Sequence, residues 1–436
     1  MPGKAYIHTF GCQMNEYDSA RMMGLLQKMG FDPAGSPEEA DVIIVNTCSV
    51  REKAEQKVYS LLGRLKVHKK RRGATIAVGG CVAQQLGEKI FEKAPYVDVV
   101  FGTHNIDRLP EMISRARGEG ERVSGLEMWE RPSTFEGDQY LEEGTVKAYV
   151  TIMTGCDNFC AYCIVPLVRG REYSRPSREV LDEVRRLAER GVKEVILLGQ
   201  NVNSYGKKNG DCSFPHLLRQ VCRIDGIERV RFVTSHPKDF SDDLVSCFGE
   251  FEKLCPHLHL PAQSGSDRIL ERMGRKYTRD HYLSIVEKLR KVRPDITFSS
   301  DFIVGFPGET DEDFRQTLSL IEEVRYDISF SFRYSPRPGT RAAGFEDQVP
   351  EEVKRERLIE LQSLQNRITL ENYRSMVGKK VEVLVEGPSK RDDNKYTGRT
   401  PCNKVVNFEA REDVKGQFIT VEIVDAFSHS LAGRPV

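Results

Sequence analysis

Short apolar runs alternate with amphipathic segments over the first 115 residues, which is the pattern of strands that alternate with helices. Strands are predicted at 6–10, 42–46, 74–78 and 97–101. Helices are predicted at 15–29 and from Ser49, whose hydroxyl can cap an apolar stripe made of Val50, Ala54, Val58, Leu61 and Leu65. Strand–helix spacing this short predicts an α/β domain with a doubly wound parallel sheet, which we place at residues 1–115.

The same alternation returns after a polar, Gly-rich and Glu-rich stretch at 116–141 that holds the only tryptophan, Trp129. We interpret this stretch as a linker. Residues 142–374 contain six further apolar runs, at 146–153, 194–198, 230–234, 257–260, 297–304 and 328–334. Ser177 and Thr310 can cap two of the helices between them. Six strand–helix units suit a partial, six-unit TIM-like barrel.

The pattern changes again near the carboxyl end. A helix rich in both charges is predicted at 351–375, and short β-runs follow at 381–385, 396–400, 405–408 and 418–423. Residues 375–436 are therefore expected to form a small β-barrel. Ten basic and nine acidic residues in its last sixty positions leave it almost neutral, so charge alone does not mark this region as an RNA binder.

Composition excludes several classes of protein. Hydrophobic residues make up 39% and charged residues 30% of the chain, as in a soluble globular protein, and no apolar run exceeds strand length. A strand that begins at Tyr6 leaves no room for a signal peptide. Eleven scattered cysteines argue against a disulfide framework and for a reducing cytoplasm. Lys+Arg and Asp+Glu balance at 65 each, so any surface for nucleic acid must be local.

Three cysteines, Cys156, Cys160 and Cys163, follow the predicted strand at 146–153 with the spacing C-x3-C-x2-C. Three thiolates leave a cubane 4Fe–4S cluster one ligand short, and an iron without a protein ligand can bind substrate. The alternatives are a structural zinc site or buried thiols. Zinc sites usually show paired C-x2-C units and a fourth ligand, and no nearby His or Cys supplies one.

Each of the first three strands is followed by a cysteine: Cys12, Cys48 and Cys81. Parallel strands end at one edge of the sheet, so these three should converge, and the helices that follow aim N–H groups there, which favours thiolates. We interpret them as a second metal centre with three protein ligands. The alternative is three core cysteines that lie there by chance.

The C-x3-C-x2-C motif with Tyr162 before its last cysteine resembles the radical S-adenosylmethionine (SAM) superfamily. Residues 4–115 resemble the amino-terminal domain of methylthiotransferases, 142–370 a radical SAM core and 375–436 a TRAM domain. Gly11-Cys12-Gln13-Met14-Asn15 and Asn46-Thr47-Cys48-Ser49-Val50 resemble the branch that methylthiolates N(6)-dimethylallyladenosine in tRNA. The ribosomal-protein branch typically has Pro-Lys, and the threonylcarbamoyl-adenosine branch Lys-Val, where Gln13-Met14 stand here.

The resemblance implies two 4Fe–4S clusters and two SAM molecules per turnover. Cys156, Cys160 and Cys163 would hold the cluster that gives SAM one electron, which yields methionine and a 5′-deoxyadenosyl radical that removes hydrogen from carbon 2 of the adenine. Cys12, Cys48 and Cys81 would hold the cluster that carries the inserted sulfur, and a second SAM would methylate that sulfur.

Loops after the barrel strands line the site in such a fold, although each one alone also fits a plain turn. The expected SAM-binding residues are Tyr162, Gln200, Asn201, Gln263, Ser264, Gly305 and Pro307. Backbone contacts to RNA are expected from the basic run Lys69, Lys70, Arg71 and Arg72, for which a solvated helix end is the alternative.

The implied partners are the anticodon arm of tRNA and an electron-donor protein, with a monomeric chain in the cytoplasm and no membrane. The carboxyl-terminal barrel is expected to place the anticodon arm over the mouth of the larger barrel. Two alternatives keep the chemistry and change the substrate to threonylcarbamoyl-adenosine tRNA or a ribosomal protein. An alternative of another class is a non-catalytic RNA-binding protein with a structural metal.

Overall fold

The structure, a computed structural model, describes residues 3–49, 54–129, 139–389 and 392–436. They form two compact units. The first consists of Met1–Glu142, Met153–Asp157 and Cys163–Arg175, and the second of Glu143–Ile152, Asn158–Tyr162 and Pro176–Val436. No helix in these ranges combines the length and the apolar character needed to cross a membrane.

The first unit is built on a six-stranded, wholly parallel sheet of order β2-β1-β3-β4-β5-β6. Its strands are β1 (Gly3–Thr9), β2 (Phe31–Pro33), β3 (Val42–Thr47), β4 (Thr75–Gly80), β5 (Val99–Phe101) and β6 (Val123–Gly125). Its helices are α1 (Gln13–Lys28), α2 (Ala54–Arg72), α3 (Cys81–Leu86), α4 (Lys89–Lys93) and α5 (Leu109–Gly118). Separate apolar clusters cover the two faces, so the predicted doubly wound domain is confirmed.

Both edge strands of this sheet were absent from the prediction. β2 and β6 are only three residues long and show no clear alternation, so their sequences read as turns. The linker predicted at 116–141 overlaps regular structure, because α5 ends at Gly118 and β6 pairs with β5; the domain boundaries themselves stay a prediction. Residues 130–138 of that linker and the proposed helix start at 50–53 lie outside the described residues.

The strand predicted at 146–153 is divided between the two units. β7 (Lys147–Thr151) belongs to the second unit, whereas β8 (Met153–Thr154) belongs to the first and pairs antiparallel with β9 (Tyr173–Ser174). The short helix α6 (Val165–Val168) lies between β8 and β9. The cysteine motif begins directly after β8. Cys156 and Cys163 belong to the first unit, and Cys160 belongs to the second.

Six parallel strands of the second unit form two three-stranded sheets, β11-β10-β7 and β12-β13-β14. Beyond β7 the strands are β10 (Glu194–Leu198), β11 (Arg229–Phe232), β12 (His257–His259), β13 (Thr297–Val304) and β14 (Ile328–Arg333). The helices between them are α7 (Ser177–Glu189), α8 (Phe214–Cys222), α9 (Asp242–Glu250), α10 (Asp267–Met273), α11 (Arg279–Val292) and α12 (Asp311–Val324). The partial, six-unit barrel is confirmed, and we call it the half-barrel.

The two helix caps predicted here differ in outcome. Thr310 caps α12 in a capping box with Asp313, as predicted. Ser177 does not cap α7, because Pro176 occupies the cap position. The Ser177 hydroxyl donates instead to the carboxylate of Asp211 at 2.7 Å.

The last helix, α13 (Glu351–Arg374), leads to a closed five-stranded barrel of order β15-β16-β17-β19-β18. Its strands are β15 (Lys380–Ser389), β16 (Asp392–Arg399), β17 (Val405–Glu409), β18 (Phe418–Ala426) and β19 (Leu431–Pro435). The small β-barrel is confirmed, and β19 was not predicted because Gly433 and Pro435 are typical turn residues. β19 closes the barrel by pairing with both β17 and β18.

The small barrel is anchored at the amino-terminal ends of the half-barrel strands. Arg231 of β11 is buried and donates to the carbonyls of Pro401 at 2.7 Å and Thr400 at 3.0 Å. Its guanidinium also lies 3.2 Å from the carboxylate of Glu194, the first residue of β10, with both side chains almost fully buried. Nearby, Lys404 donates to Asp327, just before β14. The segment that connects β16 to β17 thus completes the charge pairing at this end.

Removing the Arg231 cation should be costly, because the Glu194 carboxylate would stay buried without its partner. We expect Arg231→Met to lower the free energy of unfolding of the second unit by about 3–5 kcal/mol. Urea unfolding followed by circular dichroism measures this change.

Lys291→Met is the matched control, since Lys291 pairs with Glu287 on the surface of α11 with 71% and 68% of the two side chains exposed. Its expected cost is about 0.5 kcal/mol or less. Equal effects of the two substitutions would show that the Arg231–Glu194 pair does not stabilise this end of the half-barrel.

Candidate metal and cofactor sites

The cysteines that follow the first strands converge at the carboxyl edge of the parallel sheet, as the topology requires. Cys12 precedes α1, Cys48 follows β3 and Cys81 opens α3. The Cys48 side chain hydrogen-bonds with Cys12, and this bond, with the Arg169 cation, lowers the pKa of the Cys12 thiol to about 6. Burial raises the pKa of the Cys81 thiol. The Arg169 cation acts to lower that pKa, and the charge on Cys12 acts to raise it. The predicted convergence is confirmed, whereas metal binding by these residues stays a prediction.

Glycines and asparagines allow the close approach of these loops. Gly11 has φ +125°, and a Cβ there would lie 2.4 Å from the Cys48 Cβ, so any side chain would displace Cys48. The buried Asn15 amide donates at 2.9 Å both to the Asn46 side chain and to the Thr47 carbonyl. These bonds hold the end of β3 against the start of α1.

Arg169 supplies a buried positive charge to the same edge. Its guanidinium donates to Asp18 at 2.8 Å, and both side chains are more than nine-tenths buried. The guanidinium also hydrogen-bonds with the Cys81 thiol. Arg169 was not predicted from the sequence, because it follows α6 and no sequence pattern marks it as buried. A cation here favours the thiolate forms of the cysteines.

The donor set is of the chemical type that iron–sulfur clusters use. Three thiols meet at one edge of the sheet, and a cubane takes one thiolate on each of three separate irons, so the residues fit such a cluster in type and number. No group of three or more His, Cys, Asp or Glu side chains is placed to hold a single ion in the ranges that the structure describes.

The second cysteine motif lies between β8 and α6, and its residues contact different parts of the chain. The Cys156 amide donates to the Gly170 carbonyl at 3.2 Å within the first unit. Within the second unit, Cys160 is buried and its sulfur accepts from Arg275 at 3.7 Å. Cys163 is half-buried. Arg275, buried and bonded to the Pro261 carbonyl at 2.8 Å, is another cation that the sequence did not reveal.

Two loops of the half-barrel hold buried polar atoms with no protein partner in the described structure. These atoms are Gln200 Oε1 and Asn201 Oδ1 after β10, and Ser235 Oγ and His236 Nε2 after β11. Burial lowers the pKa of His236, so its ring is neutral. His236 Nδ1 accepts from the Lys238 amide at 3.2 Å, so Nε2 carries the proton and lacks an acceptor. Unmatched acceptors and a donor suit the charged amino-acid end of a ligand.

The other expected SAM-binding residues have contacts within the protein. The Ser264 hydroxyl lies 3.4 Å from that of Thr317. Gly305 has φ +67°, and a Cβ there would lie 2.2 Å from Lys354 Cγ, which explains the glycine structurally. The Pro307 carbonyl accepts from Arg272 at 3.2 Å. The remaining two positions are Gln263, with φ +69°, and Tyr162, whose ring packs edge-on against Phe306.

The basic run at the end of α2 is half occupied by ion pairs. Lys69 pairs with Asp98 at 2.6 Å, and Arg72 lies 3.7 Å from Asp41. Lys70 and Arg71 are exposed and carry no ion pair in the described part of the chain. Only these last two retain a free charge for a phosphate.

Three families match successive parts of the chain. Residues 4–102 match the Uncharacterized protein family UPF0004, residues 150–321 the Radical SAM superfamily and residues 374–436 the TRAM domain. These ranges follow the sheet domain, the half-barrel and the closed small barrel.

Relatives similar over the full length decide the family. The tRNA-2-methylthio-N(6)-dimethylallyladenosine synthase of Geobacter sulfurreducens is 53% identical over 436 residues, covering 99% of this chain and 97% of that protein. The synthase of the same name from Vibrio cholerae is 52% identical over 439 residues, covering 100% and 92%. The chain belongs to this synthase family.

Solved structures similar to this member of the synthase family are also radical SAM enzymes. The methyltransferase TsrM from Kitasatospora setae, solved with cobalamin and a [4Fe-4S] cluster, gives a TM-score of 0.58 at 14% identity, covering 79% of this chain and 74% of that chain. The cobalamin-dependent enzyme OxsB gives 0.53 at 11%, covering 81% and 56%. At these identities the likeness shows the fold alone.

The low pKa of Cys12 predicts that this thiol is alkylated selectively in the metal-free protein. Because the thiolate is the reactive form, labelling of Cys12 by iodoacetamide should reach half its maximal rate near pH 6. Burial raises the pKa of Cys222 to about 12 and that of Cys247 to about 11, so both should stay unlabelled at neutral pH. Mass spectrometry of the labelled peptides measures all three.

Cys48→Ala removes the hydrogen bond to Cys12 and should move the half-point to higher pH. A wild-type rate at Cys12 that still rises between about pH 8 and 9, as for an ordinary thiol, would contradict the assigned interaction.

Proposed function

We propose that this chain inserts sulfur at carbon 2 of N(6)-dimethylallyladenosine, next to the anticodon of tRNA, and methylates that sulfur with a second SAM. The observation that carries the proposal is the identity of 53% and 52% to synthases of that name across the whole chain. Gln13-Met14 after the first cysteine also matches the branch with this substrate. The chain would work as a cytoplasmic monomer with an electron-donor protein.

Cys156, Cys160 and Cys163 would hold a 4Fe–4S cluster with one iron open for SAM. Bound together, the clusters and SAM supply the electron, the radical and the sulfur. The chain's own residues bind and orient. Arg275 supports the Cys160 thiolate through its contact at 3.7 Å. The unmatched polar atoms of Gln200 and Asn201 would receive the amino-acid end of SAM.

The other residues expected to bind SAM differ in what their side chains already contact within the protein. Gln263 and Tyr162 stay candidates, because Gln263 lies in the loop after β12 and Tyr162 directly precedes the last cysteine of the motif. Ser264, Gly305 and Pro307 would act by shaping those loops, since their side chains or backbone are bound within the protein. Ser235 and His236 join the candidates because their buried polar atoms lack partners.

Cys12, Cys48 and Cys81 would hold the second cluster, which carries the sulfur. Three thiolates place negative charge on this edge, and the buried Arg169 cation partly neutralises it. Asp18 fixes the orientation of that guanidinium. The cation therefore makes the thiolate forms of these cysteines less costly than they would be without it.

The target adenine lies in a single-stranded loop, which proteins read by splaying bases out of the stack. Lys70 and Arg71 would contact the RNA backbone, and Lys69 and Arg72 would do so only after leaving their ion pairs. The chain's share of catalysis is to hold carbon 2 of the base in place and to keep water from it.

Anaerobic assays of the reconstituted protein test the substrate. We expect methylthiolated product from tRNA that carries N(6)-dimethylallyladenosine, and none from threonylcarbamoyl-adenosine tRNA or a ribosomal protein. Liquid chromatography with mass spectrometry of digested tRNA measures the product. Zinc in place of iron and acid-labile sulfide would instead favour the non-catalytic RNA-binding alternative.

Separate substitution of the two cysteine sets tests their roles. Ala at Cys156, Cys160 and Cys163 should abolish SAM cleavage and leave the other cluster in place, because its ligands lie elsewhere in the chain. Ala at Cys12, Cys48 and Cys81 should leave 5′-deoxyadenosine formation measurable and abolish sulfur insertion. Each triple variant should lose about half of the iron.

Two results would contradict these roles. One is 5′-deoxyadenosine from the first triple variant, and the other is methylthiolated tRNA from the second. Ala at Cys222 and Cys247, two buried thiols of the second unit, is the matched control and should change neither the iron content nor the product.

A further inference from the structure

Strand register divides the side chains of β12, β13 and β14 between two faces. Ser299 and Asp301 of β13 are paired with Ile328 and Phe330 of β14, and Ile303 is paired with Phe332. Registered partners in a parallel sheet point to the same side. One face therefore carries Phe330 and Phe332 beside Asp301.

Helices cover the opposite face of this sheet. Arg290 of α11 lies over the ring of Phe298, at 5.5 Å from its centroid. Tyr282 of α11 hydrogen-bonds with Ser300. In β/α units the helices pack outside, so the face with Phe330 and Phe332 is the inner, concave face of the half-barrel.

Phe330 and Phe332 are unusual on this inner face because both side chains are exposed to solvent. Phe330 is 52% exposed and Phe332 42%. They are the only exposed large apolar side chains on the inner face among the described residues. The ring of His259 packs edge-on against Phe330 at 6.2 Å, which fixes one side of the pair. Two rings on β14, a strand at the open edge of the half-barrel, thus form an apolar wall.

Charges around the wall exclude an anionic occupant. The carboxylate of Asp301 lies beside Phe330 on the inner face and 3.5 Å from His259 Nε2. The inner-face cations stand in the other sheet near the strand starts, and each is paired: Lys147 with Glu386, Arg229 with Glu382 and Arg231 with Glu194. Among the described residues, the half-barrel strands offer no unpaired inner-face cation that could balance a carboxylate placed at the wall beside Asp301.

We propose that Phe330 and Phe332 receive the N(6)-dimethylallyl substituent of the target adenine and so determine the substrate. This inference rests on the proposed function and names the residues that recognise the substituent. A branched alkenyl group of five carbons is apolar and gains from burial against two rings. A threonylcarbamoyl substituent at the same nitrogen carries a carboxylate, which Asp301 repels. The wall therefore selects one modified adenine over the other.

The test measures binding of anticodon stem–loop RNA to the full-length, reconstituted protein by fluorescence anisotropy at fixed salt. Three RNAs differ only at the adenine, which is unmodified, dimethylallylated or threonylcarbamoylated. The wild type should bind the dimethylallylated RNA most tightly and the threonylcarbamoylated RNA no better than the unmodified one. Phe330→Ala and Phe332→Ala should each reduce the preference for the dimethylallyl group about tenfold.

Conservative and distant substitutions separate recognition from folding. Phe330→Leu keeps an apolar side chain and should retain most of the preference. Ile359→Ala removes a side chain that is 58% exposed on α13 and should leave the preference unchanged. SAM cleavage without tRNA should stay at the wild-type rate in Ile359→Ala, because truncating an exposed side chain creates no cavity.

The outcomes separate this inference from the proposed function. If the wild type methylthiolates dimethylallylated tRNA but the alanine variants keep its full binding preference, the wall does not recognise the substituent. If the wild type yields no methylthiolated product, the proposed function itself fails. A change of oligomeric mass in light scattering, with the RNA preference intact, would assign the wall to a protein contact and overturn the inference.

Discussion

Parallel strand pairing is the constraint on which both α/β parts of this chain depend, because it brings every strand's carboxyl end to one edge. In the first unit this places Cys12, Cys48 and Cys81 around the buried Arg169, although long helices separate them in sequence. In the half-barrel it gathers Gln200, Asn201, Ser235 and His236, whose buried polar atoms lack protein partners. Neither set could form if one strand ran the other way.

The opposite end of the half-barrel is closed by the small barrel rather than left to solvent. Arg231 and Glu194 pair there, and the guanidinium also donates to the carbonyls of Thr400 and Pro401. The sequence led us to expect that the small barrel places the anticodon arm over the mouth of the larger barrel, and this stays a prediction. The contacts described here attach the small barrel at the strand starts, so any part it takes in holding tRNA has to extend beyond that attachment.

The sequence was informative wherever a strand was long and buried. The strands at 194–198 and 297–304 were predicted to the residue, because an uninterrupted run of Val, Ile and Leu marks the first, and Phe298 with the apolar run Phe302 to Val304 marks the second. β2 and β6 were not predicted, because three-residue edge strands have too few side chains to show an alternation of apolar and polar positions. β19 was not predicted, because Gly433 and Pro435 favour a turn. The strand forms nevertheless, since it pairs with β17 on one side and β18 on the other.

The candidate site residues also divide into those that the sequence predicted and those that it did not. Cysteine spacing is a local property, and the topology of parallel strands extended it to Cys12, Cys48 and Cys81. The buried cations Arg169 and Arg275 could not be found in this way, because an arginine in a sequence shows neither its burial nor its partner. Nor did the sequence single out Phe330 and Phe332, since alternating aromatics on a strand usually face a core.

The attachment of the small barrel also sets an order of events during synthesis. The half-barrel strands that carry Glu194 and Arg231 emerge from the ribosome long before Thr400 and Pro401, because domains are made from the amino end. Until those last residues appear, the guanidinium has one carboxylate and no carbonyl acceptors at this end. We therefore expect the half-barrel to reach its final packing only after residues 400 and 401 have been synthesised, with the small barrel acting as its last folding partner.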